Sequence, residues 1–415
     1  MTLRKTADQI VQAAIRAVQP EAAVQRALEG FSCEGRIVLV AIGKAAWSMA
    51  DAAWNTLGAK ISAGAVITKY HHSRGPIGPL QIFESGHPIP DENGVRAAHE
   101  ALRLTEGLTE RDCVLFLVSG GGSALFESPL VPLAELEDVT QQLLACGADI
   151  VEINTIRKRL SAVKGGRFAL HCAPAAVHAV ILSDIIGDPL DMIASGPACS
   201  DSSTCADAQA IARRYGLRLS DAAIACLGRE TPKALSNVTT HVTGSVRALC
   251  AAAEQEAQQL GYQCIRLTDC LCCEAREAGR FLSAIARTHA GTDRPLAFLA
   301  GGETVVHLTG SGRGGRNQEL ALAAAEGLAG LPQAAVFSFG SDGTDGPTDA
   351  AGGYVDQDSL TALRAAGIDP NDVLQQNDAY CALAKIGGLI ITGPTGTNVN
   401  DLAMLLLAPD ASAAL

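Results

Sequence analysis

Cys113-Val114-Leu115-Phe116-Leu117-Val118-Ser119-Gly120-Gly121-Gly122-Ser123-Ala124 is the stretch on which the reading of the fold turns. Its first six residues are apolar without alternation, the pattern of a strand buried on both faces of a parallel sheet. Three glycines follow at once. They free the backbone to turn sharply, and their N–H groups can converge on an anion where a helix starts. A tight strand-to-helix turn is the plainer explanation, but the flanking Ser119 and Ser123 favour a ligand.

The same alternation of strand and helix extends in both directions. Residues 36–42 form an apolar strand ending in Gly43-Lys44, with a helix at 45–57. A strand at 63–68 follows, and Asp91 is placed to cap a helix running to Leu104. Helices at 133–145 and 151–161, a strand at 176–182 and helices at 204–215 and 220–227 complete the first series. The polar stretch 230–243, with Pro232, marks a boundary, so domains are expected at 1–235 and 236–415. The second series reads helix 246–260, strand 263–267, helix 274–289, strands 295–299 and 304–308, helix 317–328, strand 334–339 and a final helix pair. The C-terminal tail is expected to pack back on the first domain. Repeated βα units predict two α/β domains, each a mainly parallel sheet flanked by helices. In such sheets ligands bind beyond the carboxyl ends of the strands.

Composition narrows the function. With 48% hydrophobic and 18% charged residues, the 415-residue chain can bury large cores. A formal charge of −12 argues against nucleic acid or an anionic membrane as partner, while leaving a small anionic substrate open to a local field. No signal-peptide pattern occupies residues 1–20, and apolar runs such as 114–118 and 402–408 are far shorter than the ~20 residues that span a bilayer. Thirteen scattered cysteines fit reduced thiols and a cytoplasmic location. Cys270, Cys272 and Cys273 have no second Cys/His pair at zinc-finger spacing.

Four further groups carry chemistry. Residues 309–319 read TGSGRGGRNQE, and Gly310, Gly312 and Gly315 satisfy the GxGxxG pattern of dinucleotide folds. No acidic residue stands ~20 positions on to hold a ribose. Arg313 and Arg316 could fork onto phosphate or carboxylate, with Asn317 beside them. Asp184, Asp188 and Asp191 follow one strand, Asp342, Asp345 and Asp349 another; such carboxylates suit Mg²⁺, although turns and helix caps use the same residues. Arg157, Lys158, Arg159, Lys164 and Arg167 form a basic cluster that could hold a carboxylate or phosphate, although a solvated helix face is the ordinary explanation. Lys44, where a strand gives way to a helix, can reach a transferring phosphoryl group. Near the C-terminus, residues 393–398 form one more glycine turn. Glycine turns, cations and carboxylates together describe phosphoryl transfer. No Walker A, protein-kinase or GxSxG signature occurs.

Taken in order, these loops resemble the glycerate 2-kinase family, whose second half is called the MOFRL domain. The blocks that carry the resemblance are AIGKAA (41–46), SGHPIPDENG (85–94), LVSGGGSAL (117–125), NTIRKRLSAVKGGR (154–167), LSDIIGDPLDMIASGP (182–197), GGET (301–304), GRGGRNQEL (312–320), GSDGTDGPTDAA (340–351) and GPTGTNVNDL (393–402). The resemblance implies a Rossmann-like N-terminal domain, a MOFRL domain, an active site in the cleft between them, and phosphorylation of D-glycerate at its 2-hydroxyl by ATP with a divalent metal. It implies Lys44 and Arg316 as catalytic cations. Ser119, Gly120, Gly121, Gly122, Ser123, Gly312, Arg313, Gly315 and Asn317 would bind nucleotide or substrate, and Asp184, Asp188, Asp342 and Asp345 the Mg²⁺. Homo-oligomerisation is left open. The alternative is an NAD(P)H-dependent hydroxypyruvate reductase, a label that members of the family carry and that the GxGxxG match alone supports physically. A non-catalytic metabolite-binding protein is disfavoured by the density of cations and carboxylates.

Overall fold

The architecture starts from two runs of apolar residues that pair side by side. Residues 2–409 are described by the structure, a computed structural model. Ile37–Ile42 (β1) and Cys113–Val118 (β4) are buried at every position and run parallel in unbroken register, Ile37 opposite Cys113 and Ile42 opposite Val118. The sheet continues with Ile61–Lys69 (β2), Gln81–Ser85 (β3), Ala176–Leu182 (β5) and Val238–Gly244 (β6), in the order β3-β2-β1-β4-β5-β6. The ladders β3/β2, β2/β1, β1/β4 and β4/β5 are all parallel. β3 and β6 are both disguised in the sequence, β6 the more thoroughly. β6 lies in the polar stretch read as a boundary and is half-exposed along its length.

The second sheet holds Gln263–Leu271 (β7), Leu296–Gly302 (β8), Ala334–Gly340 (β9), Gly352–Asp356 (β10), Leu389–Ile390 (β11) and Asp401–Leu407 (β12), in the order β11-β10-β9-β12-β8-β7. β7 and β8 pair in parallel. β12 enters antiparallel between β8 and β9, and β10 and β11 extend the sheet by antiparallel pairing. Parallel pairing in this sheet is thus confined to β7/β8, because β12 arrives without a crossover helix to set it parallel. The strand expected at 304–308 does not form: Val305 makes one isolated bridge to Glu274, and Leu308 stands 82% exposed.

Both units have the expected helix-covered α/β architecture. Among the described residues, one compact unit comprises Pro20–Ser183 and Asp188–Thr243; the other comprises the residues before Pro20, Asp184–Gly187 and those from Gly244 onward. The helix Leu3–Ala17 therefore belongs with the C-terminal half of the chain, where the sequence suggests one contiguous first domain. Its apolar stripe of Leu3, Ile10, Val11 and Ala14 enters the core of Leu249, Phe337 and Met404. The Arg4 guanidinium donates to the carbonyls of Gly387 (2.9 Å) and Leu389 (2.8 Å). Residues 410–415 of the C-terminal tail lie outside the described residues.

Candidate functional site

The order β3-β2-β1-β4-β5-β6 is that of a doubly wound nucleotide-binding sheet, and its switch point lies between β1 and β4. The loops leaving those two strands carry Gly43-Lys44 and Ser119–Ser123, so the topology brings together two of the groups that stand out in the sequence. They touch. A side chain at Gly43, whose φ is +112°, would collide with Ser119. Lys44 N donates to Gly120 O (2.9 Å), and Ser119 Oγ accepts from Ala45 N (3.1 Å). Lys44 is half-buried, and among the described residues its ammonium has no ion-pair partner. His87, which carries no signal of its own in the sequence beyond its place in the block 85–94, faces the same turn. Its Nε2 is 3.0 Å from where a side chain would begin at Gly121, and Lys44 Cε is 3.3 Å from that point. Burial first, then the charges of Lys44, Lys69 and His72, hold its imidazole below the ordinary 6.5.

The glycine turn is held from behind by the basic cluster. Arg157, Lys158, Arg159 and Lys164 do not form a solvated face; Lys158, Arg159 and Lys164 are buried. Lys164 Nζ donates to the carbonyls of Ser123 (2.8 Å) and Phe126 (2.9 Å), and Arg157 also donates to Ser123 O (3.0 Å). Glu127 lies 3.4 Å from Lys164, whose ammonium burial pushes down to about 8. Lys158 bridges Asp191 (3.0 Å) and Asp201 (3.1 Å). Two consecutive non-glycine residues, Ala194 (φ 51°) and Ser195 (φ 60°), adopt left-handed backbone against this turn. Such residues cost about 1–3 kcal/mol each unless the surroundings fix them. Here Ser195 Oγ donates to Asn154 (2.8 Å) and meets Ser123 Oγ at 3.0 Å.

In the other unit, Arg316 opens the helix Arg316–Leu328 and lines a cavity of about 720 Å³ with Val305, Leu308, Glu319, Asp345 and Pro347. Its guanidinium grips Asp401 with two bonds (2.5 and 3.1 Å) and Glu303 with a third (2.8 Å). The carboxylates lining this site therefore outnumber its arginine. Neither Glu303 nor Asp401 stands out in the sequence, although GGET and NVNDL contain them.

The glycines of residues 310–315 serve a different purpose from the one expected. Gly310 N donates to Asn377 Oδ1 (2.9 Å), Gly312 N to Gln376 O (2.8 Å) and Arg313 N to Asp378 Oδ1 (2.9 Å). A side chain at Gly315 would collide with Asp345, whose carboxylate takes the N–H groups of Asn317 (3.2 Å) and Gln318 (2.9 Å). The helix start that GxGxxG offered to a phosphate is filled by a protein carboxylate. Gly312, Gly315 and Asn317 thus pack the protein against itself, and Arg313 stacks over Tyr380, 4.7 Å from the ring centroid.

The four aspartates expected to hold metal differ in their surroundings. Among the described residues no three His, Cys, Asp or Glu side chains form a metal-binding group. Asp345 is a helix cap, and Asp342 Oδ1 closes a turn on Thr344 N (3.0 Å). The carbonyl of Asp184 accepts from Asn400 Nδ2 (3.1 Å). Asp188 differs: its backbone is left-handed (φ 53°), and among the described residues its buried Oδ1 has no hydrogen-bond partner. It alone of the four keeps a buried, unpartnered oxygen that a cation would satisfy. The turn at 393–398 folds onto the loop of Asp342, Thr395 donating to Asp342 O and Ser341 O.

A Rossmann-ordered sheet with a lysine and a glycine turn at its switch point, joined to a second α/β unit, defines a nucleotide-type α/β protein. The comparisons narrow it. A domain of unknown function, DUF4147, matches residues 6–228, and the MOFRL family matches residues 296–401. The D-glycerate 2-kinase of Thermotoga maritima is 52% identical over 98% of this chain and 99% of its own length. A putative hydroxypyruvate reductase of Agrobacterium vitis is 41% identical over 98% of this chain and 95% of its own. The crystal structure of a Thermotoga maritima glycerate kinase at 2.70 Å superposes with a TM-score of 0.95, covering 98% of this chain and 99% of that one. The chain belongs to the glycerate 2-kinase family.

Proposed function

We propose that this protein transfers a phosphoryl group from ATP to the 2-hydroxyl of D-glycerate, giving 2-phosphoglycerate. The observation that carries the reading is the ammonium of Lys44, without an ion-pair partner among the described residues, against the glycine turn at the switch point of a chain 52% identical to a D-glycerate 2-kinase. A cation fixed there neutralises charge on the moving phosphoryl group, and the turn's N–H groups orient its oxygens. Arg316 is the second cation of the reading, released from Asp401 or Glu303 when an anionic ligand competes for its fork.

Mg²⁺ supplies charge neutralisation on the nucleotide phosphates. It keeps several waters and takes only one or two protein carboxylates, so no preformed cage is required. Asp188, with its unsatisfied oxygen, is the residue assigned to it. The reductase reading loses much of its physical support with the GxGxxG loop, where the N–H groups of Gly310, Gly312 and Arg313 are taken by the protein and Asp345 fills the helix start.

Purified protein given Mg-ATP and D-glycerate should release ADP, lose that activity to EDTA and regain it with Mg²⁺. Asp188→Asn should raise the Mg²⁺ concentration needed for half-maximal rate, while Asp342→Asn should leave it unchanged. NADH oxidation with hydroxypyruvate, together with no ADP from glycerate, would establish the reductase instead.

A further inference from the structure

We propose that the His87 imidazole is the general base that takes the proton of the acceptor hydroxyl. The proposal rests on the kinase reading above and adds the residue that reading lacks. An attacking hydroxyl must shed its proton as its oxygen bonds to the γ-phosphorus and the bond to the β–γ bridging oxygen breaks, ADP leaving with that electron pair. Lys44 is a cation and cannot accept a proton.

His87 is placed for the task. It follows β3 in the loop before the helix Glu92–Leu104, and its Nε2 edge abuts Gly121 beside Lys44. Among the described residues neither ring nitrogen has a hydrogen-bond partner, so one remains free to accept. The surrounding groups are otherwise engaged. His72 Nδ1 lies 3.2 Å from Lys44 O. Asp91 caps its helix through Gly94 N (2.9 Å) and accepts from Tyr70 (2.6 Å), and Glu84 accepts from Ser73 N (2.9 Å). The charges facing the ring are Lys44, Lys69 and His72 on the cationic side, with Asp91 near Gly86 on the anionic side. The cations favour the neutral ring, as a base requires at neutral pH. In the step the imidazole becomes imidazolium, and its proton passes to water as the product leaves.

The test measures kcat and KM for D-glycerate between pH 5 and 8 in wild type, His87→Gln and His87→Asn, with melting curves to show that each variant is folded. Wild-type kcat should fall on the acid side, below pH 6.5, as the ring takes up its proton. Both variants should lose about a hundredfold or more in kcat, the range of one general base, with KM within threefold and the acid limb flattened. A folded variant with a smaller loss in kcat, or with the wild-type acid limb intact, overturns the proposal. So does a loss expressed in KM alone, which would make His87 a binding residue. If wild type itself makes no ADP, the kinase reading fails and the proposal with it; that outcome is separate because it needs no variant.

Discussion

Lys44 and Arg316 are both cations at loop ends, yet the structure gives them different surroundings. Among the described residues Lys44 holds no carboxylate, so Lys44→Ala should lower kcat by at least roughly a hundredfold, the scale of one lost transition-state donor. Its melting temperature should stay near that of wild type. Arg316 is bound to Asp401 and Glu303. Removing it strands Asp401, whose side chain is 9% exposed, next to Glu303. Breaking a fully buried pair costs about 3–5 kcal/mol; with Arg316 a third exposed, a loss on the order of 2 kcal/mol is expected after discounting for solvent. Arg316→Ala should therefore lower both kcat and the melting temperature. The sequence promises a purely catalytic effect because nothing in it shows Asp401 and Arg316, 85 positions apart, as a pair. Arg316→Lys should recover part of the stability and little of the rate, since an ammonium cannot reproduce the fork. Normal melting of Arg316→Ala in calorimetry, or normal turnover of Lys44→Ala, would contradict these assignments.

At the scale of elements, the helix Arg316–Leu328 is capped by an aspartate that burial pushes up to about 6, against two helix N–H donors that favour its ionised form. A carboxyl raised from 3.8 contributes stability that is complete below about pH 4 and lost as pH rises through 6. The full swing across that window is on the order of 3 kcal/mol. Asp345→Asn should flatten the fall in melting temperature between pH 4 and 7 while leaving the helix in place; an unchanged slope would show that Asp345 does not titrate there. The loop before this helix is stapled by Asn377, itself left-handed (φ 54°), through Thr309 N (2.7 Å) and Gly310 N (2.9 Å). Asn377→Ala should destabilise by roughly 2–4 kcal/mol, as several buried hydrogen bonds are lost at once. Hydrogen exchange at residues 309–313 should quicken; unchanged protection would mean that the staple is dispensable. The sequence makes the helices and their caps legible, Asp91 among them, because capping is local. It does not show that Gly315 is small to admit Asp345, since contact and phosphate cradle leave the same glycine.

Across the whole molecule, the strands of the first sheet are readable where both faces are buried, as in β1 and β4, and are lost at its half-exposed edges, β3 and β6. In the second sheet β12 passes as an apolar run, because a buried strand and a core helix segment share that pattern. The N-terminal helix goes unread in the sequence, and the core it packs on lies more than two hundred residues away. The sequence singles out both turns at the switch point, Gly43-Lys44 and Ser119–Ser123, but not that they meet, because that depends on a strand order it does not show. No helix among the described residues is long and apolar enough to cross a membrane. The central claim is phosphoryl transfer at that switch point. It is tested most directly by ³¹P and ¹³C NMR of the product formed from Mg-ATP and D-glycerate by wild type and by Lys44→Ala. Wild type should give 2-phosphoglycerate, and the variant almost none in the same time. A different phosphoglycerate isomer, no phosphorylated product, or equal yields from both proteins would contradict it.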